Sequence, residues 1–561
     1  GGKFYSIISL IQLLNYYKSN LPLGTIQDRP TLNWRGMHLD CARQFYTIDE
    51  IKRLLDYMSF FKLNRFHWHL TDNEAWRVEL ECYPNLTKVG AFRGYNEAIP
   101  PFYGTGYDKN GGYYSRAEVK ELIEYAKLRN IEIMPEIDLP AHSWTLLQIM
   151  PELRDSSTNI IAEDVGNYPN NTINPALEET HIFLKKILEE LSDIFSFNII
   201  HVGVDERPKE SWEGSPKVIE YMKNNNIASF DELQDDYMNN IITILKKSNK
   251  LTAAWNEAAL PPHNDIGSSG SAGKIDKSCI IFAWEHPDVG LMSAKKGFKT
   301  VLCPGQTTYF DMAYNNSTYE RGICWAATIE VKEVFEWKPV DGYSSNDLEN
   351  ILGIQAQLWS ETITNKSYFD EMINPRLATL AEIAWCSQSR RSWENFRSSL
   401  KNNLELLSKI GWIPILDSFK GMFHVIFKDP KRATQAYKNF LKSGGAQSTL
   451  RSVDRTMFDT DAHTILNKGV MRNEYSTPIL GQFRYLTEIS EEATRVGMLN
   501  KVLKKAKKQG LSERDALERA GFEARDLLDY KRQGTTGAIV NKGVPFFTAR
   551  INGAVKAWEA Q

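Results

Sequence analysis

The chain has 561 residues, of which 42% are hydrophobic and 24% charged, and a net charge of −3. That composition belongs to a globular protein and excludes a disordered, collagenous or small disulfide-scaffold chain. No apolar run approaches the ~18 residues of a membrane-spanning helix, and the net charge gives no basic footprint for nucleic acid or membrane. The charge is unevenly shared: residues 413–561 carry 25 Lys and Arg against 16 Asp and Glu, and the remainder carries 42 against 54. All six cysteines lie at or before Cys386, and of fourteen Trp only Trp412 and Trp558 fall at or beyond position 412. The chain therefore reads as two unlike parts.

Residues 1–20 predict an amphipathic helix with an apolar face of Phe4, Ile7, Ile8, Ile11 and Leu14; no small-residue cleavage site of a secretory leader follows it. Eight short apolar or β-branched runs then end in polar residues: Trp34–Asp40, Arg65–Asp72, Glu132–Pro140, Asn198–Glu206, Leu251–Glu257, Cys279–Glu285, Lys299–Gly305 and Gly353–Glu361. Helical patterns separate many of them. Thr47 with Glu50, Ser115 with Glu118, and Ser229 with Glu232 have capping-box spacing, and Asn374-Pro375 sets a cap before a first-turn proline. Eight strand–helix units predict an α/β fold, a (β/α)8 TIM barrel over residues 21–412. A doubly wound open sheet needs a phosphate-binding glycine turn after an early strand, and none is found. The longest loops fall near 95–112, 155–171 and 261–277.

Residues 413–561 read as mostly helical and basic, broken at Ser443-Gly444-Gly445. The five lysines of 501–508 read as a solvated helix face; contact with nucleic acid or an acidic partner is the sharper alternative. Cysteine spacing matches no metal motif and leaves disulfides open. Sequons at Asn85, Asn170, Asn315, Asn316 and Asn365 matter only in a secretory pathway.

The chemistry concentrates at the strand ends: Asp40; His67-Trp68-His69 with Asp72; Glu136, Asp138 and His142; Asp205-Glu206; Trp255 with Glu257; Trp284-Glu285; Trp359 with Glu361. Aromatic faces stack on sugar rings and carboxylates accept from hydroxyls, so this ring has the makings of a saccharide site. Glu257 and Glu285 read as structural. His67 and His69 share a strand face and have the residue type of metal ligands, but no third ligand of an open site is seen. Neighbouring residues on a strand point to opposite faces, so Asp205 and Glu206 are expected to point apart and not to flank one bond as acid and nucleophile. One carboxyl then protonates the leaving oxygen while the other holds a substrate group that attacks, and a 2-acetamido carbonyl is such a group. An acid must hold its proton at working pH, which burial or an adjacent negative charge favours, and Asp205 supplies that charge.

These stretches resemble glycoside hydrolase family 20, the β-N-acetylhexosaminidases. WRGMHLD (34–40), HWHLTD (67–72), EIDLPAH (136–142), HVGVDE (201–206), AAWNE (253–257), YFD (309–311) and QAQLWSE (355–361) lie in family order; PFYGTGYDKNGGYYS and VDERPKESWEGSP look chitobiase-like. The resemblance implies a retaining exo-enzyme acting on terminal N-acetylhexosamine of glycans or chitooligosaccharides, with no metal or organic cofactor and an extracytoplasmic location. By the resemblance, Glu206 would be the general acid/base and Asp205 would orient the acetamido group. Tyr309 would bind its carbonyl, and Trp255, Trp284 and Trp359 would wall the pocket. Arg35, Asp311 and Glu361 would hold sugar hydroxyls; His142, with Asp138 and Asp72, would surround Glu206; Trp325 would sit on the aglycone side.

Four departures stand out. The family's Gly-Gly before Asp-Glu is Gly203-Val204 here, Asn73 replaces a second Asp, and Ala141 replaces a Gly that a positive φ would require. Only the last helix of the family's small N-terminal domain, residues 1–20, is expected, so a barrel surface would lie uncovered. Residues 490–558 resemble helical segments of large polyvalent phage proteins. A rival reading is a non-catalytic carbohydrate-binding barrel in a phage or surface assembly. A further one is a barrel glycosidase without amide participation, which needs a partner carboxylate on another strand.

Overall fold

The computed structural model describes residues 1–17, 21–103, 108–155, 160–263, 268–315 and 320–409, with Lys505, Lys508 and Gln509 beyond them. The chain divides into two compact units, the first being Gly1–Asn315 with Arg321–Pro414. The expectations for residues 413–561, the lysine run and the phage-like stretch included, lie outside the described residues apart from those three.

Eight parallel strands close into a barrel in chain order: β1 Trp34–Asp40, β2 Arg65–His69, β3 Glu132–Leu139, β4 Ile199–Gly203, β5 Leu251–Trp255, β6 Ile280–Ala283, β7 Lys299–Leu302 and β8 Ile351–Leu358. Each is one of the eight predicted runs. β1 closes the ring by pairing with β8, Gly36 opposite Gln355 and His38 opposite Gln357. The strands are buried on both faces, so they read as apolar runs rather than alternations.

Helices α1 Gly2–Tyr17, α2 Ile48–Phe60, α3 Arg116–Lys127, α4 Glu178–Ile194, α5 Phe230–Lys247, α6 Pro287–Lys295 and α7 Arg376–Trp385 include the longest of the helical layer. α2 turns Ile51, Leu54, Leu55 and Met58 inward, and α3 turns Val119, Leu122, Ile123 and Ala126 inward, the predicted stripes. Thr47 and Ser115 form full capping boxes. Ser229 caps α5 through Glu232 N, but the Glu232 carboxylate accepts from Ala228 N instead of closing the box. Pro375 is the residue capping α7 rather than its first turn, and Asn374 Oδ1 accepts from the Tyr57 hydroxyl at 3.0 Å.

α1 forms as expected, but its contact face is rotated. Ile7, Ile11 and Leu14 of the expected face are exposed. Tyr5 meets Arg35 and Asn130, Ser9 meets Lys62, and Gln12 donates to Phe60 O. Polar anchors at positions 5, 9 and 12 set the helix orientation instead of the apolar stripe.

Candidate active site

The site lies at the carboxyl ends of the strands. Asp40, last in β1, accepts from the backbone N–H of Ala42 and Arg43 through Oδ1 and from Ser360 N through Oδ2. This turn aims Arg43 across the barrel mouth. Its guanidinium lies 2.8 Å from Asp72 Oδ2 and 2.8 Å from Glu74 Oε2, and stacks over the Trp359 ring at 5.4 Å. Burial disfavours its charge, but Asp72, Glu74, Asp40 and Glu361 raise its pKa well above the ordinary value.

Arg35 is not part of this site. It stands at the other end of β1, where it donates to Lys62 O, Leu32 O, Asn33 O and the Tyr5 hydroxyl. Strand direction is the reason: Arg35 is the second residue of β1, and the site follows the last. Arg43 is the cation that sequence reasoning missed. The signal was available in its place three residues after the strand-terminal Asp40.

β3 carries Glu136 and Asp138, and His142 follows three residues beyond its end. Ala141 does not need a positive φ; His142 takes it, at 51°. His142 Nδ1 is 3.0 Å from Asp72 Oδ1, and its Nε2 is 3.4 Å from Glu206 Oε2 and 3.7 Å from Asp205 Oδ2. Burial opposes the imidazolium, yet Asp72, Asp138 and Asp205 hold its pKa well above the usual histidine range. Asp72 is in turn held well below the carboxylate range: burial opposes its charge, and Arg43 and His142 outweigh burial.

Asp205 and Glu206 stand beyond the end of β4, not within it. Gly203, Val204 and Glu206 all have positive φ, at 68°, 75° and 50°. Strand alternation therefore does not apply, and both carboxyls face the same imidazole instead of opposite sides. Gly203 is required twice over. Its backbone is left-handed, and a Cβ there would overlap the Asp138 carboxylate. Val204, where the family commonly has Gly, holds a left-handed conformation that is rare for a β-branched residue and costs about 1–3 kcal/mol. Burial, with Glu206 next door, raises Asp205 to about 6 against the opposing pull of His142. Asp138 is raised well above the usual carboxylate range, by burial and then by Asp205.

Asn73, replacing a second Asp, donates to Asp164 Oδ2 at 2.7 Å and accepts from Trp144 N at 3.1 Å. A carboxylate could not donate to Asp164, so the lost charge is matched by the 155–171 loop. Glu74, also missed from sequence, accepts from Tyr103 and Tyr168 and ties the 95–112 and 155–171 loops to Arg43.

The aromatic residues converge. Trp255 lies 5.9 Å from Trp359, Tyr309 lies 6.1 Å from Trp359, and Trp284 stacks on Tyr309 at 6.2 Å. Trp325 is 5.9 Å from Tyr309 but 57% exposed, which sets it on the rim. Trp284 Nε1 donates to Glu257 Oε2, and Asn256 bridges to Glu285, so both glutamates brace the wall. Buried polar atoms left without hydrogen-bond partners gather in this region: Asp205 Oδ1, both oxygens of Asp311, Glu361 Oε2 and Trp255 Nε1. Such groups are costly unless a ligand or water meets them. Burial raises Glu361 to about 7 despite Arg43, and raises Asp311 well above the usual range, with Glu361 adding to it.

Below the mouth, His38, His67, His69 and His201 surround Glu136, all fully buried. His69 Nδ1, His67 Nε2 and His201 Nδ1 lie 2.6, 3.1 and 2.9 Å from its oxygens. Their nitrogens and this carboxylate are also close enough together to be potential metal ligands. Within the cluster His69 Nδ1 hydrogen-bonds Glu136 Oε2, Gln355 Nε2 donates to His67 Nδ1, and Gly203 N–H donates to His201 Nδ1.

A (β/α)8 barrel carrying paired carboxyls, an aromatic wall and open acceptors at its mouth is a carbohydrate-site barrel. Residues 32–388 match the profile described as "Glycosyl hydrolase family 20, catalytic domain", and the chain belongs to that family. It is 36% identical over 385 residues to a beta-hexosaminidase of Vibrio furnissii, covering 68% of this chain and 61% of that one. It is 27% identical over 473 residues to an N,N'-diacetylchitobiase of Vibrio harveyi, covering 70% and 53%. Among solved structures it is similar to the exo-β-N-acetylglucosaminidase of Vibrio harveyi in complex with N-acetylglucosamine. That match has TM-score 0.68 and 34% identity, and covers 73% of this chain and 64% of that one. The chain thus spans between half and two thirds of these relatives' lengths.

Proposed function

We propose that the protein is a retaining exo-β-N-acetylhexosaminidase that removes terminal N-acetylglucosamine, or N-acetylgalactosamine, by substrate-assisted catalysis. The observation that carries this reading is the placement of Asp205 and Glu206 around one imidazole, His142, beside the Trp255–Trp359–Tyr309 wall. Glu206 gives its proton to the glycosidic oxygen as that bond breaks. The acetamido carbonyl oxygen attacks the anomeric carbon from the other face, and Asp205 takes the amide N–H and faces the positive charge that develops. Tyr309 donates to the acetamido oxygen. Water then opens the cyclic intermediate with Glu206 as base, which restores the starting configuration.

Asp311, Glu361 and Arg43 are assigned to the sugar hydroxyls, Trp284 to the pocket wall and Trp325 to the aglycone. Asp138 supports Asp205 from Gly203's side. Terminal glycans and chitooligosaccharides are the substrates of this reading, which calls on no metal or organic cofactor. No part in the reaction is assigned to residues 490–558. The test is Asp205→Asn on an aryl N-acetyl-β-glucosaminide. Loss of turnover by roughly a hundredfold or more supports the reading, and near-normal turnover refutes it.

A further inference from the structure

The Asp72–His142 pair does not end at Asp72. Asp72 Oδ2 lies 3.0 Å from His69 Nε2, and His69 Nδ1 lies 2.6 Å from Glu136 Oε2. Glu136 Oε1 in turn meets His201 Nδ1 at 2.9 Å. A line of hydrogen-bonded groups therefore runs from the barrel core towards the mouth through Glu136, His69, Asp72 and His142, with His201 at ion-pair distance from Glu136 at one end and Glu206 3.4 Å from His142 at the other. Its members come from β2, β3 and β4 and the turns that follow them. All but Glu206 are buried. Both ring nitrogens of His69 face carboxylates, so it serves both only as an imidazolium, with two donors.

The charges around His69 agree with this arrangement. Glu136, Asp72 and Asp40 balance its positive charge, and the neighbouring His38 and Trp359 rings pack beside it. Burial would drive off its proton, but Glu136 and the two hydrogen bonds hold its pKa well above the ordinary histidine value. Burial opposes the Glu136 charge, but the neighbouring imidazoles, His69 foremost, hold its pKa well below the usual carboxylate range. His38 and His67 are both pushed down by burial, His38 to about 4, so His69 is the charged partner among the three.

We infer that His69 is a positioning residue for the hydrolysis: anchored by Glu136, it fixes the Asp72 carboxylate so that His142 stays set against the Glu206 carboxyl. This rests on the reading of Glu206 as the acid. Arg43 shares Asp72 with His69 but approaches from the mouth, where it also serves Glu74 and Trp359. His69 is the support from below, and without it Asp72 Oδ2 keeps Arg43 as its one partner.

Two leaving groups separate this role from a purely structural one. A sugar leaving group, as in chitobiose, needs the acid's proton, whereas a 2,4-dinitrophenyl glycoside does not. kcat/KM reports the bond-breaking step for both. His69→Gln is expected to lower kcat/KM on chitobiose by about tenfold or more and on the dinitrophenyl substrate by less than about threefold. Glu136→Gln, nearly isosteric, should reproduce the pattern and serves if His69→Gln does not fold, with near-UV circular dichroism checking the fold. Equal losses on both substrates, or no loss on either, in a folded variant would overturn the inference. A wild-type chain that cleaves neither substrate overturns the reading of Glu206 itself, and the inference with it. Wild-type turnover with unresponsive variants overturns the inference alone.

Discussion

His142 Nε2 lies 3.4 Å from Glu206 Oε2 while its Nδ1 is held 3.0 Å from Asp72. An oriented imidazole beside a carboxyl is the arrangement an acid that must later act as base requires. Glu206→Gln should therefore lower kcat by ~10²–10⁴ on substrates with sugar leaving groups, with little change in thermal midpoint. Steady-state kinetics beside a melting curve checks both halves.

The two arginines of the first strand region should behave differently. Arg43→Lys keeps the charge but loses the fork that spans Asp72 and Glu74, so KM should rise by about tenfold. Arg35→Lys breaks hydrogen bonds to Lys62 O, Leu32 O and Tyr5 at the far end of the barrel. It should lower the melting temperature and leave KM within about twofold, since surroundings rather than substrate contacts are lost. A KM change confined to Arg35→Lys would reverse the assignment.

Gly203→Ala places a Cβ where the Asp138 carboxylate sits, on a left-handed backbone. Asp138 or the Asp205 turn must shift, and misplacement of ~1 Å near the reacting groups costs about a hundredfold in rate. The variant should lose activity well before it loses its fold. Full activity would show that the turn has slack it does not display.

The pH dependence of stability follows from Asp205. Its folded-state pKa, about 6, is above the unfolded value. Between about pH 4 and 6 the native state therefore binds more protons than the unfolded chain, and this group's contribution to stability falls as pH rises. Asp205→Asn removes that titration. The variant should gain stability relative to wild type as pH rises from 4 to 7, measured by denaturant unfolding without ligand. A pH-independent difference would contradict the raised pKa.

The barrel was legible because each strand is an apolar run closed by polar residues, and each capping box marks a helix start. Ten of the twelve assigned site positions meet at the mouth, Trp325 lies on the rim, and Arg35 lies at the far end. Position along the strand, not residue type, separates Arg35 from Arg43. The fact that the site sits after the last strand residue was enough to choose between them. The left-handed turn at 203–206 was hidden because Val204 masks it: its side chain argues for an extended strand, and the surrounding packing overrides that preference. The network around Glu136 was half visible. His67 and His69 were placed on one face, but their partners come from β1, β3 and β4, and only closure of the barrel brings these together. The rotated face of α1 depends on Arg35, Asn130 and Lys62, which no local periodicity reveals.

The most direct measurement compares hydrolysis of an aryl N-acetyl-β-glucosaminide with that of the matching aryl β-glucoside by the whole chain. The account predicts turnover of the first and none of the second, because the acetamido oxygen is the nucleophile. Equal turnover of both would contradict amide participation and with it the roles given to Asp205 and Tyr309.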